Sequence, residues 1–202
     1  MSYDFTLKCI LIGESGCGKS CILYNFLYDK FLDQETTIGV EFGCKTITVP
    51  KSRTKVRLQI WDLAGQLTFR SLTKSYYRNS AIALLVYDIT RPETYYTIKQ
   101  WIDKVLELNR ESTQLVLIGN KIDLQYRRQI SRETAQQFAD EHNMLYFETS
   151  AKQNQNIQEM FIQPVDYLIN NSNSPHLKSI YQTNSVLFDD INDIEIPKKR
   201  CC

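Results

Sequence analysis

The sequence predicts an α/β fold with a six-stranded, mostly parallel, doubly wound sheet, one antiparallel hairpin and helices on both faces. Short apolar or alternating runs typical of strands recur along the chain, and segments with helical spacing lie between most of them. The 202 residues suffice for one domain with its own core and a tail. We expect the domain at 1–170 and a flexible tail at 171–202, where periodicity gives way to asparagine, serine and proline.

The strands are predicted from their apolar content. The first run ends in Cys-Ile-Leu-Ile before Gly13, as expected of a buried strand that meets a loop. A polar, proline-containing turn separates the second and third runs, which indicates a hairpin. The later runs are largely apolar, as in strands covered on both faces. The six predicted strands are residues 6–12, 40–49, 54–61, 81–87, 114–118 and 144–148.

Helices are predicted where apolar residues recur every three or four positions. Ser131 is predicted to be the N-cap of the third helix, because a serine oxygen can accept from the free N–H groups of a first turn. Pro164 is expected to kink or interrupt the last helix, since proline has no N–H to donate. The predicted helices are residues 19–28, 93–109, 132–142 and 156–170.

Composition argues against several classes of function. The formal net charge is +1, whereas nucleic-acid-binding proteins usually have a strong basic excess, so no nucleic-acid partner is expected. No run approaches the roughly 18 apolar residues of a membrane span. The six cysteines show no C-x-x-C spacing and the N-terminus lacks a secretory layout, so we expect reduced, cytosolic thiols.

A phosphate-binding motif follows the first predicted strand. The stretch GESGCGKS at 13–20 fits G-x-x-x-x-G-K-[ST], whose glycines let backbone N–H groups surround phosphate oxygens at a helix N-terminus. Lys19 is expected to reach the β- and γ-phosphates, and the Ser20 hydroxyl to hold Mg²⁺. The motif alone leaves the base and the reaction open. The predicted phosphate-binding residues are Ser15, Gly16, Cys17, Gly18, Lys19 and Ser20.

Two later strand ends predict a guanine site. The carboxylate of Asp123, in GNKID, can accept from both N1–H and the exocyclic amine of guanine, a donor pair that adenine lacks. Asn120 can bond the purine edge, and Lys121 can lie over the ring and contact the phosphate loop. The N–H of Ala151, in TSAK, can bond guanine O6. The predicted base-binding residues are Asn120, Lys121, Asp123, Ser150, Ala151 and Lys152.

The end of the hairpin carries a third candidate motif, Asp62-Leu63-Ala64-Gly65-Gln66. An acid at this place can hold Mg²⁺ through water, Gly65 can offer its N–H to the γ-phosphate, and Gln66 has the group needed to orient an attacking water. By itself, D-x-x-G is more often an ordinary turn.

Taken together, these motifs resemble those of the Rab family of Ras-like small GTPases. The matching stretches cover about residues 5–170: GESGCGKS, TTIGVEF, RLQIWDLAGQ, SYYR, LLVYDIT, GNKID and ETSAK. The resemblance implies the P-loop GTPase fold, binding of GTP and GDP with Mg²⁺, and slow GTP hydrolysis with Gln66 as the catalytic glutamine. It also implies that Thr37 binds Mg²⁺ with Ser20 and Asp62. Phe31 would stack on guanine and the backbone of Cys21 would contact the α-phosphate.

The resemblance further implies a surface for effectors, presented by an aromatic triad. Hydrophobic core is the alternative interpretation of these aromatic residues, and Trp61 can serve both roles. The implied partners are an exchange factor, a GTPase-activating protein, effectors, a prenylation escort protein and a GDP-dissociation inhibitor, with the chain itself a monomer. The implied effector surface is Ile38, Gly39, Val40, Phe42, Trp61 and Tyr76.

The chain ends in Lys-Lys-Arg-Cys-Cys. This end does not fit C-a-a-X, but Cys201 and Cys202 resemble the double geranylgeranyl acceptor of Rabs. Two lipid chains anchor stably where one is marginal, and three basic residues add attraction to acidic lipid. We therefore expect a membrane-anchored switch in vesicle traffic, located on the cytoplasmic face of an intracellular membrane and cycling with the cytosol.

The sequence departs from the usual Rab pattern at two positions, and other functions therefore stay open. Rabs usually read WDTAGQE, whereas this chain has Leu63 and Leu67 at the threonine and glutamate positions. These changes motivate a second hypothesis, a non-hydrolysing, GTP-dependent module that recruits effectors. A third, a P-loop nucleoside kinase, predicts a preference for adenine.

Overall fold

A computed structural model describes residues 3–32, 37, 39–65, 73–109 and 113–171. Its six strands form one sheet in the order β2-β3-β1-β4-β5-β6, with β2 and β3 antiparallel and the other neighbours parallel. The predicted fold class and its hairpin are therefore confirmed. The strands are β1 Phe5–Ile12, β2 Val40–Thr48, β3 Lys55–Leu63, β4 Ile82–Asp88, β5 Gln114–Asn120 and β6 Leu145–Thr149.

The sheet is covered by helices on both faces, as predicted. One apolar cluster contains Phe26 and Phe161, whose rings stack at 3.9 Å between two helices that share a face. The other contains Trp101 and Ala135 from helices on the opposite face. The helices are α1 Lys19–Tyr28, α2 Thr73–Tyr77, α3 Pro92–Tyr96, α4 Ile98–Asn109, α5 Arg132–Glu141 and α6 Ile157–Asn171.

Two helix predictions need correction. The single helix expected at 93–109 is two helices, because the chain turns at Thr97, whose hydroxyl donates to the backbone oxygen of Thr94 at 3.1 Å. Pro164 does not interrupt α6, which continues to Asn171. Pro164 is one of the buried residues of this helix, as is Phe161, so burial outweighs the loss of one backbone hydrogen bond. Ser131 caps α5 as predicted and accepts from a backbone N–H at 3.0 Å.

Left-handed backbone is distributed unevenly. Around the phosphate-binding motif it falls on glycines, whereas elsewhere four asparagines have a φ between 53° and 58°. Asparagine tolerates this region better than most residues because its short polar side chain can bond locally. These asparagines are Asn79, Asn143, Asn154 and Asn156.

The described part of the chain contains no helix that is both long and apolar enough to span a membrane.

Candidate nucleotide-binding site

The phosphate loop, residues 13–20, follows β1 and includes the first residues of α1, at the edge of the sheet where the parallel strands end. Gly13 has a φ of 140°, and a Cβ there would lie 2.1 Å from the backbone oxygen of Val86 in β4. The loop therefore passes so close to β4 that only glycine fits. Lys19 begins α1, and its buried ammonium group donates to the backbone oxygens of Gly13 and Glu14, each at 2.9 Å. These contacts keep a positive charge against the loop, where it can attract phosphate.

Three oxygen-bearing side chains predicted to hold Mg²⁺ meet beside this loop. The hydroxyl of Ser20 lies 2.5 Å from that of Thr37 and donates to Oδ2 of Asp62. Asp62 is fully buried, and its other oxygen, Oδ1, has no hydrogen-bond partner among the described residues. Burial raises the pKa of Asp62 from 3.8 to about 6, against the opposing effects of Lys19 and of the Ser20 hydrogen bond.

This set fits a hard divalent cation. Two hydroxyls and an unsatisfied carboxylate oxygen are the donors that Mg²⁺ prefers, and a cation would relieve the cost of ionising a buried acid. The described residues contain no group of three or more His, Cys, Asp or Glu side chains that could hold a metal. We therefore expect phosphate oxygens to complete the coordination.

Asn120, at the end of β5, joins the loops of the site. It is buried, and its Nδ2 donates to the backbone oxygen of Cys17 at 2.8 Å. Its Oδ1 accepts from the Thr149 hydroxyl at 3.1 Å and from the Ala151 N–H at 3.4 Å. A Cβ at Gly18 would lie 2.4 Å from Asn120 Nδ2, so the phosphate loop and β5 are in close contact. Its predicted bond to the purine edge stays a prediction.

The other base-loop residues lie at the same edge. The ammonium group of Lys121 donates to the backbone oxygen of Gly16 at 2.8 Å, which is the expected contact with the phosphate loop. The hydroxyl of Ser150 donates to Asp123 Oδ1 at 2.6 Å, so the two predicted guanine loops are joined through the acid. Lys152 is exposed at the rim.

Two charged residues of this site were not predicted from the sequence as site residues. Asp88, at the end of β4, is buried and pairs with the ammonium group of Lys121 at 2.8 Å. Arg91 contacts Asp88 at 3.3 Å and donates from Nη2 to the backbone oxygen of Ser15 at 2.9 Å. Burial tends to raise the pKa of Asp88, but hydrogen bonds from Lys121 and Thr90 outweigh it and hold the pKa below its usual value. The sequence did contain one signal for Asp88, since an acid directly after an apolar run typical of a buried strand is expected at the sheet edge that binds ligands.

A partly buried ion pair lies beside the base loops. Arg128 and Glu148 form two hydrogen bonds, at 2.7 and 3.2 Å, and both side chains are only 14% exposed. Arg128 also donates to the backbone oxygen of Ile130 at 3.1 Å. The pair ties β6 to the 3-10 helix Ile122–Arg127 and the turn that follows it.

Gly65 lies directly on the phosphate loop. A Cβ at this position would be 2.4 Å from the backbone nitrogen of Ser15, which allows only glycine and fits the predicted contact with the γ-phosphate. On the neighbouring strands, the ring of Trp61 lies 4.6 Å from that of Phe42 and 5.4 Å from that of Tyr76. The three aromatic residues therefore form one continuous group. Phe42 is 37% exposed, while the other two are partly buried.

The other predicted residues that the structure describes are exposed or half-buried. Phe31 follows α1 and is exposed, Cys21 is half-buried in α1, and Gly39 and Val40 are half-buried at the start of β2. Four predicted functional residues lie outside the described part of the chain: Ile38, Gln66, Cys201 and Cys202.

A phosphate loop, a magnesium-type set of oxygen donors and two base loops at one sheet edge define a nucleotide-binding protein of the GTPase type. A family model described as the Ras family matches residues 8–170. The chain therefore belongs to the Ras family. As a small GTPase it acts as a guanine-nucleotide switch, in a family that binds GTP and GDP, generally uses Mg²⁺ and hydrolyses GTP. Exchange factors, GTPase-activating proteins and effectors are the partners that this membership suggests.

Proposed function

We propose that this chain is a Rab-type GTPase that acts as a membrane-anchored switch in vesicle traffic. The observation that carries the proposal is the continuous group of Phe42, Trp61 and Tyr76, since a joined aromatic group across the hairpin and α2 can present a surface to effectors. The adjoining sequence WDLAGQ and the terminal cysteine pair give further support.

In this proposal, different residues of the chain bind the phosphates, hold Mg²⁺ and orient the attacking water. Lys19 and the N–H groups of the phosphate loop hold the β- and γ-phosphates, while Ser20, Thr37 and Asp62 hold Mg²⁺. When bound, that ion neutralises negative charge on the phosphates. Gln66 orients the attacking water. Thr37 and Gly65 contact the γ-phosphate, so both contacts are made with GTP and lost after hydrolysis.

Intrinsic hydrolysis should be slow and should depend on Gln66. Single-turnover GTP hydrolysis is compared for wild type, Gln66→Leu and the control Gln137→Leu, which changes an exposed glutamine of α5. We expect about a tenfold or greater fall for Gln66→Leu only, equivalent to about 1.4 kcal/mol in the barrier. Added GTPase-activating protein that supplies an arginine should accelerate wild type. Equal, negligible rates in all three proteins would favour the non-hydrolysing module.

Base recognition is tested through Asp123. Because its carboxylate is proposed to accept two guanine donors, Asp123→Asn should shift the preference from guanine to xanthine nucleotides. Competition binding with GTP, XTP and ATP measures this shift. A variant that keeps its preference for GTP would remove the guanine assignment, and a wild type that prefers ATP would support the nucleoside kinase.

Membrane attachment is tested in cells with the full tagged chain. We propose that Cys201 and Cys202 each carry a geranylgeranyl group, for which an escort protein and a GDP-dissociation inhibitor are the proposed partners. Replacing both by serine should move the protein to the soluble fraction, while single replacements should weaken attachment. Unchanged membrane association of the double variant would refute the lipid anchor.

A further inference from the structure

Asn25 of α1 makes a buried contact that no sequence motif indicates. The side chain is 1% exposed, and its Nδ2 donates to the backbone oxygen of Ala151 at 2.8 Å, across 126 positions of sequence. Its Oδ1 is buried and has no hydrogen-bond partner among the described residues. A buried amide costs free energy unless its groups are bonded, and here only the donor side is. An apolar residue would suit this helix face better, unless the contact with Ala151 has a role.

Ala151 is held from two sides. Its C=O accepts from Asn25, and its N–H makes a long hydrogen bond of 3.4 Å to Asn120 Oδ1, which guanine O6 would share or replace. The preceding residue, Ser150, exchanges two backbone hydrogen bonds with Gln155, at 3.2 and 3.0 Å. The backbone of the second base loop is therefore fixed on both sides of the peptide nitrogen that is proposed to face guanine O6.

Asn25 also belongs to the helix that carries the phosphate-binding side chains. Lys19 and Ser20 form the first turn of α1, and Asn25 lies six residues after Lys19 in the same ten-residue helix. At a rise of about 1.5 Å per residue, this spacing corresponds to about 9 Å along the helix axis. A rigid helix thus connects the phosphate end of the site directly to the base end.

We propose that Asn25 is a positioning residue for the base: it sets the Ala151 backbone relative to the phosphate loop and thereby strengthens the Ala151 N–H bond to guanine O6. This inference rests on the proposed guanine contact of Ala151. It assigns to α1 a part in base selectivity as well as in phosphate binding.

The test compares release of two nucleotides from the Mg²⁺-loaded full chain. GDP carries O6 and N1–H, whereas the diphosphate of 2-aminopurine riboside lacks both and keeps the exocyclic amine. Because the lost N1–H bond to Asp123 affects wild type and the Asn25 variants alike, the change in the ratio of the two release rates reports on O6. We expect Asn25→Ala to accelerate GDP release about five- to tenfold, the effect of one lost buried hydrogen bond, and to change release of the analogue less than about twofold. Release is measured on loaded protein, so a partly unfolded fraction does not enter the rates.

Asn109→Ala is the matched control. Asn109 is also a buried helical asparagine, and its Nδ2 donates to the backbone oxygen of Val105 at 3.1 Å. It lies at the end of α4, which leads to the start of β5 and not to the strand ends of the site. We expect this substitution to leave the ratio of the two release rates unchanged. Asn25→Leu, which keeps a similar volume and removes the donor without adding a buried charge, should reproduce the selective effect if Asn25→Ala does not fold.

The outcomes distinguish a failure of the role proposed for Asn25 from a failure of the proposed contact between Ala151 and O6. Equal acceleration of both nucleotides by the Asn25 variants, or no acceleration of either, would overturn the positioning role. A wild type that releases the analogue no faster than GDP would instead refute the proposed Ala151 contact with O6. A ratio of analogue release to GDP release that is above one in wild type and shrinks in the Asn25 variants, but not in Asn109→Ala, supports both.

Discussion

Replacing Asp62 by asparagine should stabilise the metal-free protein near neutral pH, although it removes a proposed metal ligand. Asp62 is fully buried, and one of its oxygens has no hydrogen-bond partner among the described residues. Burial raises its pKa from 3.8 to about 6. The neutral form is therefore the one favoured by the fold, and asparagine has the same shape without the charge.

The sign and size follow from linkage. Stability associated with the raised pKa is fully present below about pH 4 and is lost as the pH rises through about 6, where the folded protein must ionise a buried acid. The loss amounts to about 1 kcal/mol at about pH 4.5 and about 3 kcal/mol at about pH 7.5. These values are upper limits for Asp62→Asn, because one amide hydrogen-bonding group would remain without a partner.

Urea unfolding of the GDP-loaded protein in a chelator, at both pH values, measures the difference. We expect Asp62→Asn to exceed wild type in free energy of unfolding at about pH 7.5, and by less at about pH 4.5. Saturating Mg²⁺ should cancel or reverse the advantage, since only the carboxylate gains from the cation. A variant that is no more stable than wild type without metal, or whose gain does not change with pH, would refute this reasoning.

Two further predictions compare a constrained position with a matched free one. Arg128→Ala leaves the partly buried Glu148 carboxylate with the Tyr146 hydroxyl but without a positive partner, so we expect a loss of about 2 kcal/mol in the free energy of unfolding. Lys51→Ala, in an exposed ion pair, should cost at most about 0.5 kcal/mol, and similar urea midpoints for the two variants would contradict this. Gly13→Ala drives a methyl group into a backbone oxygen of β4 and should cost about 3 kcal/mol or more. At Gly39 the added methyl group meets no atom of the described residues within 4 Å, so Gly39→Ala should cost about 1–2 kcal/mol from its φ of 93°. Urea unfolding of both variants tests this order, and a larger loss of unfolding free energy for Gly39→Ala than for Gly13→Ala would contradict it.

Much of the site was predictable because its side chains sit at the ends of strands. A buried apolar run shows where a strand ends, and in a parallel sheet those ends share one edge. That reasoning placed Asp62, Asn120 and Ala151 together, and the structure brings them to one edge. Local rules also sufficed for Ser131, whose capping bond depends on three residues of sequence.

Contacts that depend on three-dimensional adjacency could not be read in the same way. Arg91 reaches Ser15 across 76 positions, and Asn25 reaches Ala151 across 126, with no spacing rule that links either pair. The predicted interruption of the last helix at Pro164 was wrong for a related reason. The cost of a proline inside a helix can be read from the sequence, whereas the burial that offsets this cost depends on how α6 packs.

The turns at Asn79, Asn143, Asn154 and Asn156 leave room for change in this chain. Each holds left-handed backbone without a glycine, and none of the four belongs to the predicted nucleotide site. A left-handed residue that carries a Cβ retains a small conformational penalty, typically less for asparagine than for other residues. Glycine at Asn79 or Asn143, outside the loops of the nucleotide site, would remove this penalty and offset stability lost through substitutions near the site. Such turns give this chain a reserve for acquiring new partners without weakening its hold on the nucleotide.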